Sequence, residues 1–149
     1  MKFRTAVENT NEIANFLNTG LDALSKAHKN SIIVSYHNKI TGSVNIDDAL
    51  LSAYPNENRW DYAIGYRISK QEDKVFFAEF HRAIVSEVEL VLKKKEWLMS
   101  WMCGKPLDNL RQRRFVWVSA GGIKIPQNSP QWRNIINHGI RLVRRLTLS

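Results

Sequence analysis

The stretch from Arg59 to Ala83, RWDYAIGYRISKQEDKVFFAEFHRA, constrains the fold more than any other part of the chain. Two runs rich in aromatic and apolar residues, Trp60 to Ile68 and Lys74 to Phe80, flank the polar SKQED, a pattern that predicts an antiparallel β-hairpin. A turn centred near Lys70 sets Asp61 opposite Glu79. Opposite residues in a ladder share a face, with Cβ atoms about 5 Å apart. Alternation carries His81 onto the same face, two residues beyond Glu79. Asp61, Glu79 and His81 are therefore expected in one cluster.

Two carboxylates this close repel, and one takes up a proton unless a cation, an Arg or a Lys stands between them. A hard divalent ion is a natural partner, and Mg²⁺ is commonly held by one or two carboxylates plus waters and phosphate oxygens. Two structural alternatives stay open. Glu79 could pair with Arg59 or Arg82, or a register one residue out could turn Asp61 toward solvent.

A chain of 149 residues suits a single domain, residues 1–149, with one core. The start, MKFRTAVENTNE, carries no apolar signal segment and no apolar run is long enough to span a bilayer, so a soluble, cytoplasmic protein with no membrane contact is expected. The single cysteine, Cys103, excludes an internal disulfide and a cysteine-built zinc site, and is expected to be a buried packing residue. Lys and Arg outnumber Asp and Glu by 22 to 14, a formal charge of +8. From Arg111 onward there are Lys and Arg but no Asp or Glu. Such a basic surface attracts polyanions, so nucleic acid, DNA or RNA, heads the expected partners.

Asn9 to His28 reads as an amphipathic helix with an apolar stripe through Ile13, Phe16, Leu17, Leu21 and Leu24. Ser31 to Tyr36 reads as the first strand, KITGSVN as a turn or strand end, and IDDALLSAY as a short helix with Asp47 and Asp48 at its N-terminus. His28 and His37 lack partners at metal-ligand spacing and are expected at the surface or at strand ends. Ser86 and Glu89 form a capping box ahead of the helix EVELVLKKKEWLMSWM, whose three consecutive lysines cannot all face solvent. Phe115 to Ser119 reads as a buried strand, and Ser129 with Pro130 opens a last helix running through QWRNIINHGIRLVRRL.

The expected order is therefore α-β-β-β-α-β-α, an α/β fold with a mixed central sheet flanked by helices. That order, with an acid on the second strand and E-x-basic closing the third, resembles the PD-(D/E)xK restriction-endonuclease-like family over Asn9 to Leu148. WD stands at Asp61 where the family pattern has PD, and E-F-H at Glu79 to His81 where the pattern has E-x-K. The resemblance implies a restriction-endonuclease-like core, with Asp61 and Glu79 as ligands of Mg²⁺ or Mn²⁺ and Glu12, or Glu8, on the first helix as an additional acid. It also implies a lysine that opposes charge on the phosphorane. His81 occupies that place here, and Lys93, Lys94 or Lys95 could supply the ammonium from the following helix.

On this reading the protein is a metal-dependent nuclease with Asp61, Glu79 and His81 catalytic. Arg111, Arg113, Arg114, Arg141, Arg144 and Arg145 would hold the nucleic-acid backbone. A catalytically degenerate fold that keeps only a binding surface is the alternative. A third reading is a homodimer or a partner-docking subunit using Trp97, Trp101 and Trp132, although large aromatics in a small domain usually fill the core.

Overall fold

The computed structural model describes residues 1–149, and its first departure from expectation is at the N-terminus. The single long helix is absent. α1 (Phe3–Glu8) precedes that span, and in the helix's place stand α2 (Asn11–Ala14), a short strand β1 (Leu17–Asn18) and α3 (Lys26–Lys29). Asn9, Thr10, Asn11, Asn15, Asn18 and Thr19 carry side chains that compete for backbone groups, which weakens a continuous helix. Thr10 illustrates this: its hydroxyl donates to the Ala6 carbonyl at 2.8 Å and accepts from the Leu107 N–H at 3.1 Å, tying the helix break to a distant loop. Gly20, at φ +53°, completes the interruption.

The chain continues through β2 (Ile32–Val34), β3 (Ile40–Asn45), α4 (Ile46–Leu50), β4 (Tyr62–Arg67), β5 (Asp73–Phe80), β6 (Ala83–Ile84), α5 (Val88–Met102), β7 (Arg113–Val118), β8 (Ile123–Lys124), α6 (Pro130–Asn137), β9 (Ile140–Val143) and β10 (Leu146–Leu148). The central sheet runs β1-β3-β4-β5-β7-β9. β3, β4 and β5 are antiparallel neighbours, whereas β7 and β9 join in parallel, so the sheet is mixed. Its first long strand is β3, in the segment expected as a turn or strand end. The Ser31 to Tyr36 run instead supplies β2, which pairs in parallel with β10 in a separate two-stranded sheet.

Helices α1, α2, α4, α5 and α6 bury their apolar residues on one face of the sheet, against Ala63, Val75, Phe77, Phe115 and Trp117. The opposite face, with Tyr62, Ile64, Phe76, Val116 and Val118, is covered by Leu24 and by Leu146 and Leu148 of β10. Odd-numbered residues of β5 point to the helices and even-numbered ones to the small sheet, as strand alternation demands. α1 is seated by a close approach: Gly42 and Gly65 are paired across β3 and β4, and a Cβ added to Gly65 would lie 2.4 Å from Cγ of Phe3. The buried Asp73 carboxylate accepts the Phe3 N–H at 2.8 Å, satisfying one free donor of the α1 N-terminus.

α5 lies where it was expected, although no capping-box bond forms and a 3₁₀ turn, Val85–Glu87, leads into it. The last predicted helix is half the length expected. Gly139, at φ +71°, ends it in the left-handed conformation, and the following residues extend as β9 and β10. Cys103, expected to be buried, is exposed. Trp60, Trp101 and Trp117 are buried and Trp97 and Trp132 pack against the same core, so the tryptophans mainly fill the interior. No helix is long and apolar enough to cross a membrane.

Candidate functional site

The hairpin adopts the register that alternation dictates. Tyr62 pairs with Ala78 and Arg67 with Asp73, which sets Asp61 opposite Glu79 one step beyond the ladder. The facing is made by hydrogen bonds: the Asp61 N–H donates to Glu79 Oε1 at 3.1 Å, and the Phe80 N–H donates to Asp61 Oδ2 at 2.9 Å. Each carboxylate therefore finishes the pairing of the other's strand. Both lie on the helix-covered face, and Glu79 is fully buried.

A buried carboxylate needs a partner, and α5 supplies it. Lys94 Nζ lies 2.6 Å from Glu79 Oε2. His81, on the same face, places Nδ1 3.6 Å from that oxygen and Nε2 3.3 Å from Glu87 Oε2. Glu87 also meets Arg82 at 3.8 Å. Neither alternative for Glu79 holds, since Arg59 pairs with Asp47 at 3.0 Å and Arg82 with Glu87. Of the three consecutive lysines, Lys94 is the one that reaches the carboxylates.

The charges are unevenly balanced. Burial, and then the charge of Glu79, push the Asp61 carboxyl up to about 7, against the Phe80 N–H hydrogen bond and the charge of Lys94, which favour its ionised form. Burial alone would lower Lys94, but the charge and hydrogen bond of Glu79, with Asp61 and Asp47 behind, hold its ammonium above the usual lysine range. The hydrogen bond to Glu79 raises His81, burial opposes this, and Glu87 adds to the rise. Glu79 is thus compensated, while Asp61 is the acid short of positive charge.

That shortage is what a divalent ion would relieve, and it is the test of whether these residues suit Mg²⁺ or Mn²⁺. No group of three or more His, Cys, Asp or Glu side chains is placed to hold a metal ion. The protein offers two carboxylates, and three of their four oxygens already accept hydrogen bonds, from the Asp61 and Phe80 N–H groups and from Lys94. Glu12 does not join them. Its Oε1 accepts the indole N–H of Trp101 at 3.1 Å, because the broken N-terminal helix directs α2 toward the end of α5.

Beyond His81 the C-terminal ends of β5 and β7 open into a cavity of about 440 Å³, lined among others by His28, Phe80, Arg82, Gly121 and Lys124. Ligand sites in open α/β sheets favour this end of parallel strands. His28 was not foreseen in this role. It stacks on Phe80 with ring centres 4.2 Å apart, its Nδ1 lies 2.7 Å from the Tyr62 hydroxyl, and burial, partly offset by Glu79, lowers its pKa. Nothing in its sequence neighbourhood signals this contact, which arises only when α3 docks. Glu87 was likewise read only as part of a helix entrance.

The six arginines expected to bind nucleic acid do not form one surface. Arg144 and Arg145 line an adjoining cavity with Ser31 and Ala120, close to the His81 end of the sheet. Arg114 and Arg141 lie on the face away from Glu79, toward the other end of β7 and β9, where Arg145 also borders their cavity. Arg111 is exposed at the entrance to β7. Arg113 is a correction: its guanidinium is committed to Asp108 at 3.1 Å and to the Leu110 carbonyl at 2.9 Å, so it holds a turn together. Comparison with known protein families, with curated proteins and with solved structures returns no match to this chain.

Proposed function

We propose that the protein is a metal-dependent hydrolase of phosphodiester bonds in nucleic acid, with Asp61 and Glu79 holding Mg²⁺ or Mn²⁺. The observation that carries this reading is the convergence of these two carboxylates across the hairpin with the Lys94 ammonium 2.6 Å from Glu79. The mixed sheet flanked by helices supports it, with α1, the β3-β4-β5 meander, α5 and the parallel β7 in the chain order that the motif resemblance leads one to expect. Lys94 supplies from α5 the ammonium that the E-F-H motif lacks.

A bound divalent ion would position a water and offset charge developing on the scissile phosphate. The chain's own groups do the rest. Lys94, kept cationic by Glu79, opposes negative charge at the reacting phosphate. His81, held between Glu79 and Glu87, orients the attacking water or takes its proton when neutral. Arg82, Lys124, Arg144 and Arg145 surround the open end of the sheet and contact the neighbouring backbone phosphates.

The test is cleavage of labelled single-stranded DNA, duplex DNA and RNA with and without Mn²⁺. The wild-type protein cleaves at least one of them only with metal, and Asp61→Asn, Glu79→Gln and Lys94→Met abolish cleavage while binding persists. Cleavage that survives in Asp61→Asn and Glu79→Gln overturns the assignment. One observation favours a second reading, a non-catalytic nucleic-acid-binding module: Lys94 and His81 already compensate Glu79 without a metal. That reading requires salt-sensitive binding with no metal dependence and no cleavage.

A further inference from the structure

On the face of the central sheet away from Glu79, three cations stand on three adjacent strands. The register sets Arg114 of β7 opposite Phe76 of β5, and Arg141 of β9 opposite Val116 of β7. Lys74 is two residues before Phe76, and Val116 two after Arg114, so Lys74, Arg114 and Arg141 are diagonal neighbours on one face. Arg145 reaches the same place from the link between β9 and β10. Like charges at such positions repel, and a fold normally intersperses an acid.

Here it does not. No Asp or Glu side chain lines the cavity of about 700 Å³ that these residues enclose with Thr147 and Ser149. Arg141 and Arg145 make no ion pair and no hydrogen bond, and the only bond of Arg114 is to the Arg113 carbonyl at 3.0 Å. Lys74 lies over the rings of Tyr66 and Phe76, at 5.6 and 5.4 Å. Burial and the charge of Arg114 lower its pKa, which is the direction that crowded cations impose. Lys95 and Arg113 border the cavity too, but they are occupied with the His138 carbonyl and with Asp108.

The floor is apolar, formed by Phe76, Val116 and Val143. A concave, walled site with converging cations suits a compact dianion more than a duplex lying along a flat surface. It is also remote from the carboxylates: Lys74 and Glu79 are five residues apart on β5, roughly 16 Å, and point to opposite faces.

We infer that the cavity bounded by Lys74, Arg114, Arg141 and Arg145 is a binding site for a terminal phosphate group, carried either by a free nucleotide or by the end of a nucleic-acid strand. The inference stands whether or not the Asp61 and Glu79 cluster cleaves anything.

The experiment titrates the full chain, in EDTA and at fixed salt, with pyrophosphate, adenosine 5′-monophosphate and adenosine, followed by calorimetry. Pyrophosphate and the monophosphate bind saturably and adenosine does not. Arg114→Gln and Arg141→Gln, both at exposed positions, each weaken binding roughly tenfold, whereas Lys26→Gln, an exposed cation outside the cavity, leaves it unchanged. Competition with one oligonucleotide bearing a 5′-phosphate or a 5′-hydroxyl separates the sources. Displacement by the phosphorylated form alone assigns the site to strand ends, and displacement by neither assigns it to free nucleotides. Absence of saturable binding, binding indifferent to both arginine variants, or equal displacement by both oligonucleotides overturns the inference.

Discussion

Lys94 and Glu79 meet at 2.6 Å although one is carried by a helix and the other by a strand, and Glu79 has no contact with solvent. A pair buried this deeply contributes less by its own attraction than it costs to break, because removing one partner strands a charge in the interior. Lys94→Met is therefore expected to destabilise the protein by about 3 kcal/mol at neutral pH, read by urea unfolding. Adding Glu79→Gln should restore most of that loss. If the double variant is no more stable than Lys94→Met alone, the pair is not coupled as the geometry requires.

Asp61 makes stability depend on pH in a definite direction. Its carboxyl titrates near 7 in the fold and near 3.8 when free, so between these values the folded state holds the extra proton. Stability falls as pH rises through that window, by roughly 4 kcal/mol at most. His81 adds a change of the same sign: its folded pKa is raised, so its contribution is present below about 6.5 and is lost as pH rises through the folded value. Asp61→Asn should flatten the profile and make the protein more stable than wild type at pH 8. A melting curve at pH 5 and at pH 8 for both proteins checks this.

The same carboxyl offers a metal readout independent of cleavage. An ion that binds only the folded state raises the melting temperature with concentration. At pH 8, millimolar Mn²⁺ should raise it for the wild-type protein by a few degrees and leave Asp61→Asn unmoved. An equal rise in both places the ion elsewhere.

The hairpin was readable in the sequence because its signals are local: alternation on both arms, a polar turn between them, and one arithmetic of register. Asp61, Glu79 and His81 converge for that reason. Lys94 was one of three candidates, since only the docked orientation of α5 distinguishes it from Lys93 and Lys95. The N-terminal helix was misread because the apolar spacing of Ile13, Phe16 and Leu17 outweighed the asparagines and threonines between them, and Phe16 is in fact exposed. At the other end, Ile136, Ile140 and Val143 fit a helical stripe while Ile140 and Leu142 fit the alternation of a strand, and the break at Gly139 decides between them. Contacts of Glu12 with Trp101 and of His28 with Phe80 join segments distant in sequence, where periodicity carries no information.

Gly65 should not tolerate a side chain. A Cβ there would enter the Phe3 ring and the Thr41 hydroxyl, both at 2.4 Å. Gly65→Ala is expected to cost about 2 to 3 kcal/mol, with Phe3→Ala in the Gly65→Ala background recovering part of it. Denaturant midpoints of Gly65→Ala, Phe3→Ala and the double variant measure the coupling.

Cys103 lies at the exposed C-terminal end of α5. A thiol reagent should label the native protein at close to the rate of an unfolded control, without loss of secondary structure by circular dichroism. Labelling that requires denaturant would bury the residue after all.

The way the two carboxylates are carried has a kinetic side. A hairpin closes in microseconds, well before a distant helix docks, so Asp61 and Glu79 meet while Lys94 is still absent. At alkaline pH that early encounter is between two anions and is discouraged. As pH falls toward the ordinary carboxylate range one of them takes up a proton and the strands zip freely. Refolding should accordingly be fastest on the acid side of neutrality, with the lysine acting as a late latch on a pair that the chain first brings together unescorted.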